Sequence, residues 1–260
     1  MKKPILRFAE LLLIPVLWFA IFPSQALPRT GREGSILVDL PEGAFNMGSR
    51  DVGNEGPISV VFTRAYSIGK YEVTNDQFRE FVNSSLYKPR GKWRTEYLSS
   101  SGKAPALDVT WEDSAAYCRW YGLRLPTEAE WERAARGPLQ YRFPWGNQWR
   151  DGLCQSSVGH QQMGAVGTPA PVGSFPEGTS GYGCLDMAGN AYEWCSSIYK
   201  EYPYNPADGR EDLVKTATRV IRGGSWYNNE KVLFRCTDRA GSLQTTSSPV
   251  IGFRVCRGQL

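Results

Sequence analysis

Large rings and chain breakers limit what this chain can become. It carries 9 Trp, 13 Tyr and 11 Phe beside 27 Gly and 17 Pro in 260 residues. Each buried ring removes about 150–250 Å² from water. Frequent Gly and Pro cut long periodic elements short. The combination predicts a loop-rich fold with an aromatic core rather than a helical bundle packed from Leu and Ile. A content of 41% hydrophobic and 22% charged residues excludes wholesale disorder. The formal net charge of +4 gives no electrostatic case for a nucleic-acid partner. A single histidine, His160, excludes sites that need two or more His ligands, such as zinc proteases of the H-E-x-x-H type.

The first 26 residues read as a signal peptide. Lys2, Lys3 and Arg7 make a basic start, and the 12 residues Leu11 to Phe22 form an apolar run that is short for a bilayer span. Ser24-Gln25-Ala26 is a small-x-small cleavage signal, so the mature chain is expected to begin at Leu27. An uncleaved anchor is the alternative. Processing places the protein in the periplasm or outside the cell and leaves no integral membrane segment. Residues 27–34 are polar and read as a flexible leader, and 35–260 as one domain.

Local patterns place the elements. Ile36, Val38 and Leu40 alternate as a strand, followed by a turn near Gly43. Val60-Val61-Phe62 and Tyr66-Ser67-Ile68 read as a hairpin-like pair. Thr74 with Gln77 and Thr127 with Glu130 have capping-box spacing, and Thr110 precedes a third helical pattern. From Gly137 to Gly183 no period is sustained. Arg219 to Arg222 and Ile251 to Val255 close the chain as strands.

Six ordered segments carry a resemblance: YEVTNDQFREFV (71–82), PALDVTWEDSAAYCRWYGLRLPTEAEWERAARG (105–137), FPWGN (143–147), GYGCLDMAGNAYEW (181–194), RVIRGGSW (219–226) and GFRVCR (252–257). Together they resemble the formylglycine-generating-enzyme (sulfatase-modifying factor) superfamily. The resemblance implies an α+β, C-type-lectin-like fold with little regular secondary structure. In sulfatase-activating members, two cysteines after the Gly-Gly-Ser motif bind copper. Here Ser225 matches the active-site serine, but Asn228 stands where the first cysteine belongs, and 231–233 hold no cysteine. Tyr192 replaces an expected Trp. These departures argue against copper and against formylglycine formation.

The resemblance also implies a structural calcium held by Asp186, Gly189, Ala191 and Glu193. The alternative is a turn capped by Asp186, with Glu193 paired to an arginine. A second family calcium site is lost, because Gly152 to Thr168 contains no acid. A family disulfide maps to Cys118 and Cys256, although Cys256 sits one residue late, and the partner of the other family bridge to Cys236 is missing near Ala134 and Ala135. Glu128, Glu130 and Glu132 read as solvated charge with a capping group. Arg235, Asp238 and Arg239 read as a structural ion network, and His160 as a surface loop residue. The candidate groove is Ser225, Trp226, Tyr227, Asn228 and Asn229, with core packing favoured for Trp226.

Two functions follow. One is an exported member acting in oxidative maturation of a periplasmic substrate, as PvdO-like proteins do for the siderophore pyoverdine. The other is a non-enzymatic binding module on a lectin-like scaffold. The partner would be a peptide, a siderophore-like or other small ligand, or a protein.

Overall fold

The computed structural model describes residues 29–31, 34–93, 102–158 and 168–258. The signal peptide, its cleavage point and His160 lie outside them. In chain order the strands are β1 (Arg29–Thr30), β2 (Ile36–Leu40), β3 (Gly43–Met47), β4 (Ser59–Thr63) and β5 (Tyr66–Gly69). Three helices follow, α1 (Asn75–Ser85), α2 (Trp111–Trp120) and α3 (Glu128–Arg136), and then β6 (Tyr192–Ile198), β7 (Thr218–Arg222), β8 (Arg239–Leu243), β9 (Ile251–Gly252) and β10 (Cys256–Arg257). The described architecture is α+β, as expected.

All three helix starts are set by their own sequence. Thr74, Thr110 and Thr127 each accept a hydrogen bond from the amide three residues on, and Gln77, Asp113 and Glu130 reach back to the cap amide. Each reciprocal pair satisfies two orphan donors, so these starts need no tertiary help.

Strand pairing is less local. Strands β1, β2, β5 and β10 form one antiparallel sheet, β3 and β4 a ribbon, and β8, β7, β6 and β9 a second sheet in which β6–β9 is parallel. The expected hairpin of Val60–Phe62 with Tyr66–Ile68 does not form. Val61 pairs with Phe45, and Ile68 pairs with Val38 and Cys256. Two short runs of equal β-propensity cannot encode which distant edge each one finds. Nor is 27–34 wholly a free leader. Arg29 and Thr30 pair with Leu37 and Ile36, and the Gly31 amide donates to the Ser35 carbonyl at 2.8 Å.

The core is aromatic. Phe78 sits 4.9 Å from Trp93 and Tyr117 sits 5.3 Å from Phe253, both edge-to-face. This cluster joins α1 and α2 to the chain end, while a second one gathers around Trp131, Ala134 and Ala135 of α3.

The expected Cys118–Cys256 disulfide is absent, and every cysteine is a buried thiol. Strand parity explains it. Val255 packs in the first cluster with Cys118, whereas Cys256 turns into the second, its Sγ 3.9 Å from Glu130 Oε2. A one-residue slip sends the side chain to the opposite face. Cys236 packs in the same cluster as Ala134 and Ala135, which stand at the missing bridge partner's place.

Candidate functional site

The candidate groove segment begins where β7 ends. Gly223 and Gly224 take φ values of 98° and 72°. A Cβ on Gly224 would meet the Leu233 carbonyl at 2.9 Å and the Phe234 ring at 2.9 Å. The left-handed backbone and this close approach both require glycine. The turn buries Ser225, 1% exposed.

Asn228 closes over the serine. Its Oδ1 accepts from the Ser225 hydroxyl at 2.8 Å and from the Ser225 amide at 2.9 Å. On its other side Asn228 hydrogen-bonds the Tyr192 phenol. The two residues that depart from the family pattern therefore touch each other and form one chain, Ser225–Asn228–Tyr192. Burial pushes the Tyr192 phenol up to about 12, aided by the charge of Asp238 and opposed by the Asn228 hydrogen bond. Burial also raises the Asp238 carboxyl to about 6, with Arg222 working the other way.

The two aromatic residues that follow are less buried. Tyr227 is 60% exposed, and Trp226 meets it edge-to-face at 5.7 Å. Trp226 is half-buried, with its indole N–H donating to the Pro249 carbonyl at 3.1 Å. That is a half-buried position, not the core packing expected of it. Asn229 is half-buried beside it. Ser157 fastens the rim from outside, donating its amide to the Asn228 carbonyl and its hydroxyl to the Trp226 carbonyl, both at 2.8 Å.

Beneath the groove lies a buried ion network. Arg222 pairs with Glu132 and lies 3.4 Å from Glu128, all three fully buried. Arg239 grips Glu128 with two bonds of 2.6 and 3.0 Å between the rings of Tyr199 and Tyr202. Arg235 pairs with the buried Glu55. Arg235 and Arg239 thus belong to a structural network, as expected. The reading of Glu128 and Glu132 as solvated is overturned, because α3 turns both toward the arginines of β7 and β8. Glu130 does cap its helix, and also binds Arg124 with two bonds of 2.7 Å.

The loop expected to hold calcium folds around two left-handed residues, Asp186 (φ 57°) and Asn190 (φ 60°). It is tied to the groove, since the Gly189 amide donates to the Gly223 carbonyl and the Trp226 amide to the Asn190 carbonyl. Asp186 Oδ2 accepts from the Gly173 amide at 2.6 Å. Glu193 is paired with an arginine. Both its oxygens accept from Arg254 at 2.6 Å, and Oε2 also accepts from the Trp131 indole. Among the described residues no three His, Cys, Asp or Glu side chains converge on one point. A carboxyl that sequence reasoning missed, Glu72, lies against Asp186 instead. Its one signal was a charge set between Tyr71 and Val73. Burial and the charges of Asp186 and Glu193 hold the Glu72 carboxyl well above the usual range.

Burial disfavours the thiolate form at five of the six cysteines. Burial pushes Cys184 up to about 11 and Cys154 up to about 12, and raises Cys195, Cys236 and Cys256 as well. A protonated buried thiol is a poor soft-metal ligand.

The family model of the sulfatase-modifying factor enzyme 1-like domain matches residues 24–259. The inactive C-alpha-formylglycine-generating enzyme 2 of Mus musculus is 32% identical over 301 residues, covering 94% of this chain and 92% of its own. The formylglycine-generating enzyme of Mycobacterium tuberculosis is 32% identical over 291 residues, covering 84% and 96%. Among solved structures, PvdO from Pseudomonas aeruginosa superposes with a TM-score of 0.75 at 26% identity, covering 90% of this chain and 100% of PvdO.

Proposed function

The chain belongs to the sulfatase-modifying factor enzyme 1-like family, and on that premise we propose that it is an exported member acting in oxidative maturation of a periplasmic substrate, as PvdO-like proteins do, and not in sulfatase activation. The observation that carries this reading is the Ser225–Asn228–Tyr192 chain. A neutral amide oxygen that already accepts two hydrogen bonds stands where copper chemistry needs a thiolate. The structural likeness to PvdO supports the same branch.

The groove offers other chemistry. Asp238, with a carboxyl near 6, is ionised at neutral pH and still basic enough to accept a proton. Trp226 and Tyr227 present ring surface to an aromatic substrate. In such an oxidation two hydrogens leave the substrate, and dioxygen takes them up as hydrogen peroxide. The residues of the chain position the substrate and hold the proton. A structural calcium at the Asp186 loop, tied to Gly223 and Trp226, would keep the groove in shape. Export rests on residues 1–26. Among the described residues no helix is long and apolar enough to cross a membrane.

The test uses the mature protein. With Cu(I), dioxygen and a cysteine-bearing sulfatase peptide it is expected to form no aldehyde. An aromatic siderophore-precursor peptide in air is expected to lose two mass units, at least ~10-fold more slowly with Asp238→Asn. Copper-dependent aldehyde would refute the proposal. The exposure of Tyr227 favours a second reading, a ligand-binding module. In that case the peptide binds with unchanged mass, and Tyr227→Ala and Asn228→Ala weaken the binding.

A further inference from the structure

The carboxylates of α3 are each matched to an arginine. Glu128 holds Arg239, Glu132 holds Arg222, and both oxygens of Glu130 hold Arg124. Glu211, from the connection between β6 and β7, meets the same helix end without such a partner. The Ser197 hydroxyl joins the two, accepting from the Glu128 amide at 2.9 Å and donating to Glu211 Oε1 at 2.6 Å. The Tyr204 phenol donates to the same oxygen at 2.7 Å, and Oε2 receives the Ser196 hydroxyl at 3.4 Å. Among the described residues the hydrogen-bond partners of Glu211 are therefore neutral hydroxyls. The neighbouring guanidiniums are engaged elsewhere, Arg210 with Asp208 at 2.9 Å and Arg219 with the carbonyls of Ser196, Asp212 and Lys215. Burial raises the Glu211 carboxyl, the Ser197 and Tyr204 hydrogen bonds oppose this, and the charges of Glu128 and Glu130 add to it.

Glu211 lines a cavity of about 360 Å3 between β4, the start of α3 and the 204–211 loop. Val61, Phe62, Ala129, Tyr204 and Pro206 make its walls largely apolar. The other polar groups of the lining have partners. Thr127 and Glu130 form the capping box, Glu130 also holds Arg124, and the Thr63 hydroxyl accepts from Arg133. Phe62 and Arg64 are the exposed edge. The cavity shares no lining residue with the Ser225–Asn229 groove.

We propose that this cavity is a second binding site, for an organic amine whose ammonium pairs with Glu211 and whose apolar body lies against Val61, Phe62 and Pro206. Apolar walls around a few fixed polar groups are the usual make-up of a small-molecule site. A carboxylate partly removed from water gains from an opposite charge, and a charge-assisted hydrogen bond is stronger than one from a hydroxyl. Ser197 and Tyr204 hold Oε1, so the carboxylate is oriented before a ligand arrives, while Oε2 has only its long bond to Ser196. Arg64 carries the same sign as the ligand, but it is exposed and screened by solvent. The site is independent of the oxidative reading of the groove.

The mature protein is titrated calorimetrically with phenethylamine, and with 2-phenylethanol as an uncharged analogue of nearly equal size. Phenethylamine is expected to bind with a Kd on the order of 1 mM or tighter, at least ~10-fold more tightly than the alcohol. Glu211→Gln keeps the side-chain size and an acceptor for the hydroxyls, and is expected to abolish the preference for the amine. Phe62→Ala, at an exposed position that folding tolerates, is expected to weaken the amine by ~3-fold or more. Circular dichroism melts check that each variant is folded, and the comparison of the two ligands on wild type needs no variant. Four results would each overturn the assignment: no saturable binding of phenethylamine up to about 20 mM, an alcohol that binds as well as the amine, an amine preference that survives Glu211→Gln, or wild-type amine affinity in Phe62→Ala.

Discussion

Replacing Arg222 with Met would remove the strut on which the groove stands. The guanidinium is fully buried, paired with Glu132 and 3.4 Å from Glu128. It also donates to the carbonyls of Cys236 and Asp238 and lies 5.5 Å over the Trp131 ring. Methionine fills most of the volume, so the loss is electrostatic more than steric. Glu128 keeps Arg239, and Glu132 keeps the Gly48 amide at 2.7 Å and Arg136 at 3.3 Å. One carboxylate oxygen is left bare in the interior. Removing one partner of a buried pair costs about 3–5 kcal/mol. At this chain length that is a fall in Tm of roughly 6–20 °C. Calorimetry or a thermal melt followed by near-ultraviolet circular dichroism reads it directly. Arg150, exposed and 3.6 Å from Glu177, is the control, and Arg150→Met is expected to change stability by less than about 0.5 kcal/mol. Adding Glu132→Gln to Arg222→Met is expected to recover part of the loss, because the orphaned charge goes with it. Arg222→Met within about 1 kcal/mol of wild type, or a double variant whose losses simply add, would refute the argument.

Asp238 gives a pH signature. Its carboxyl is raised to about 6 in the fold against an ordinary value of 3.8. Folding therefore favours the protonated form, and stability is lost as pH rises from about 4 through about 6. Asp238→Asn is expected to match wild type below pH 4 and to exceed it by roughly 2–3 kcal/mol above pH 7 in urea titrations. A gap that does not widen over that window would show that the raised value is wrong. For export, intact mass of protein recovered from the cell envelope is expected to show Leu27 first, and retention of Met1 would overturn the processing.

What the sequence determined by itself is short-range. The three capping boxes act over three residues, so Thr74, Thr110 and Thr127 could be read directly and the helices began where expected. The Gly-Gly-Ser turn was legible for a similar reason, since only glycine takes that backbone against Leu233 and Phe234. The strand partners were not legible, because Val61 and Ile68 carry equal propensity and choose different sheets only when the chain ends meet. Nor were the ion pairs. Arg254 and Glu193 are 61 residues apart, and Arg222 and Glu132 are 90 apart, so no period links them. Charged residues read from a sequence default to solvent, because burial costs more than an unpaired charge can return. Only the packed structure supplies the partner that reverses this, placing Glu128, Glu132 and Glu193 inside against arginines and setting Glu72 against Asp186.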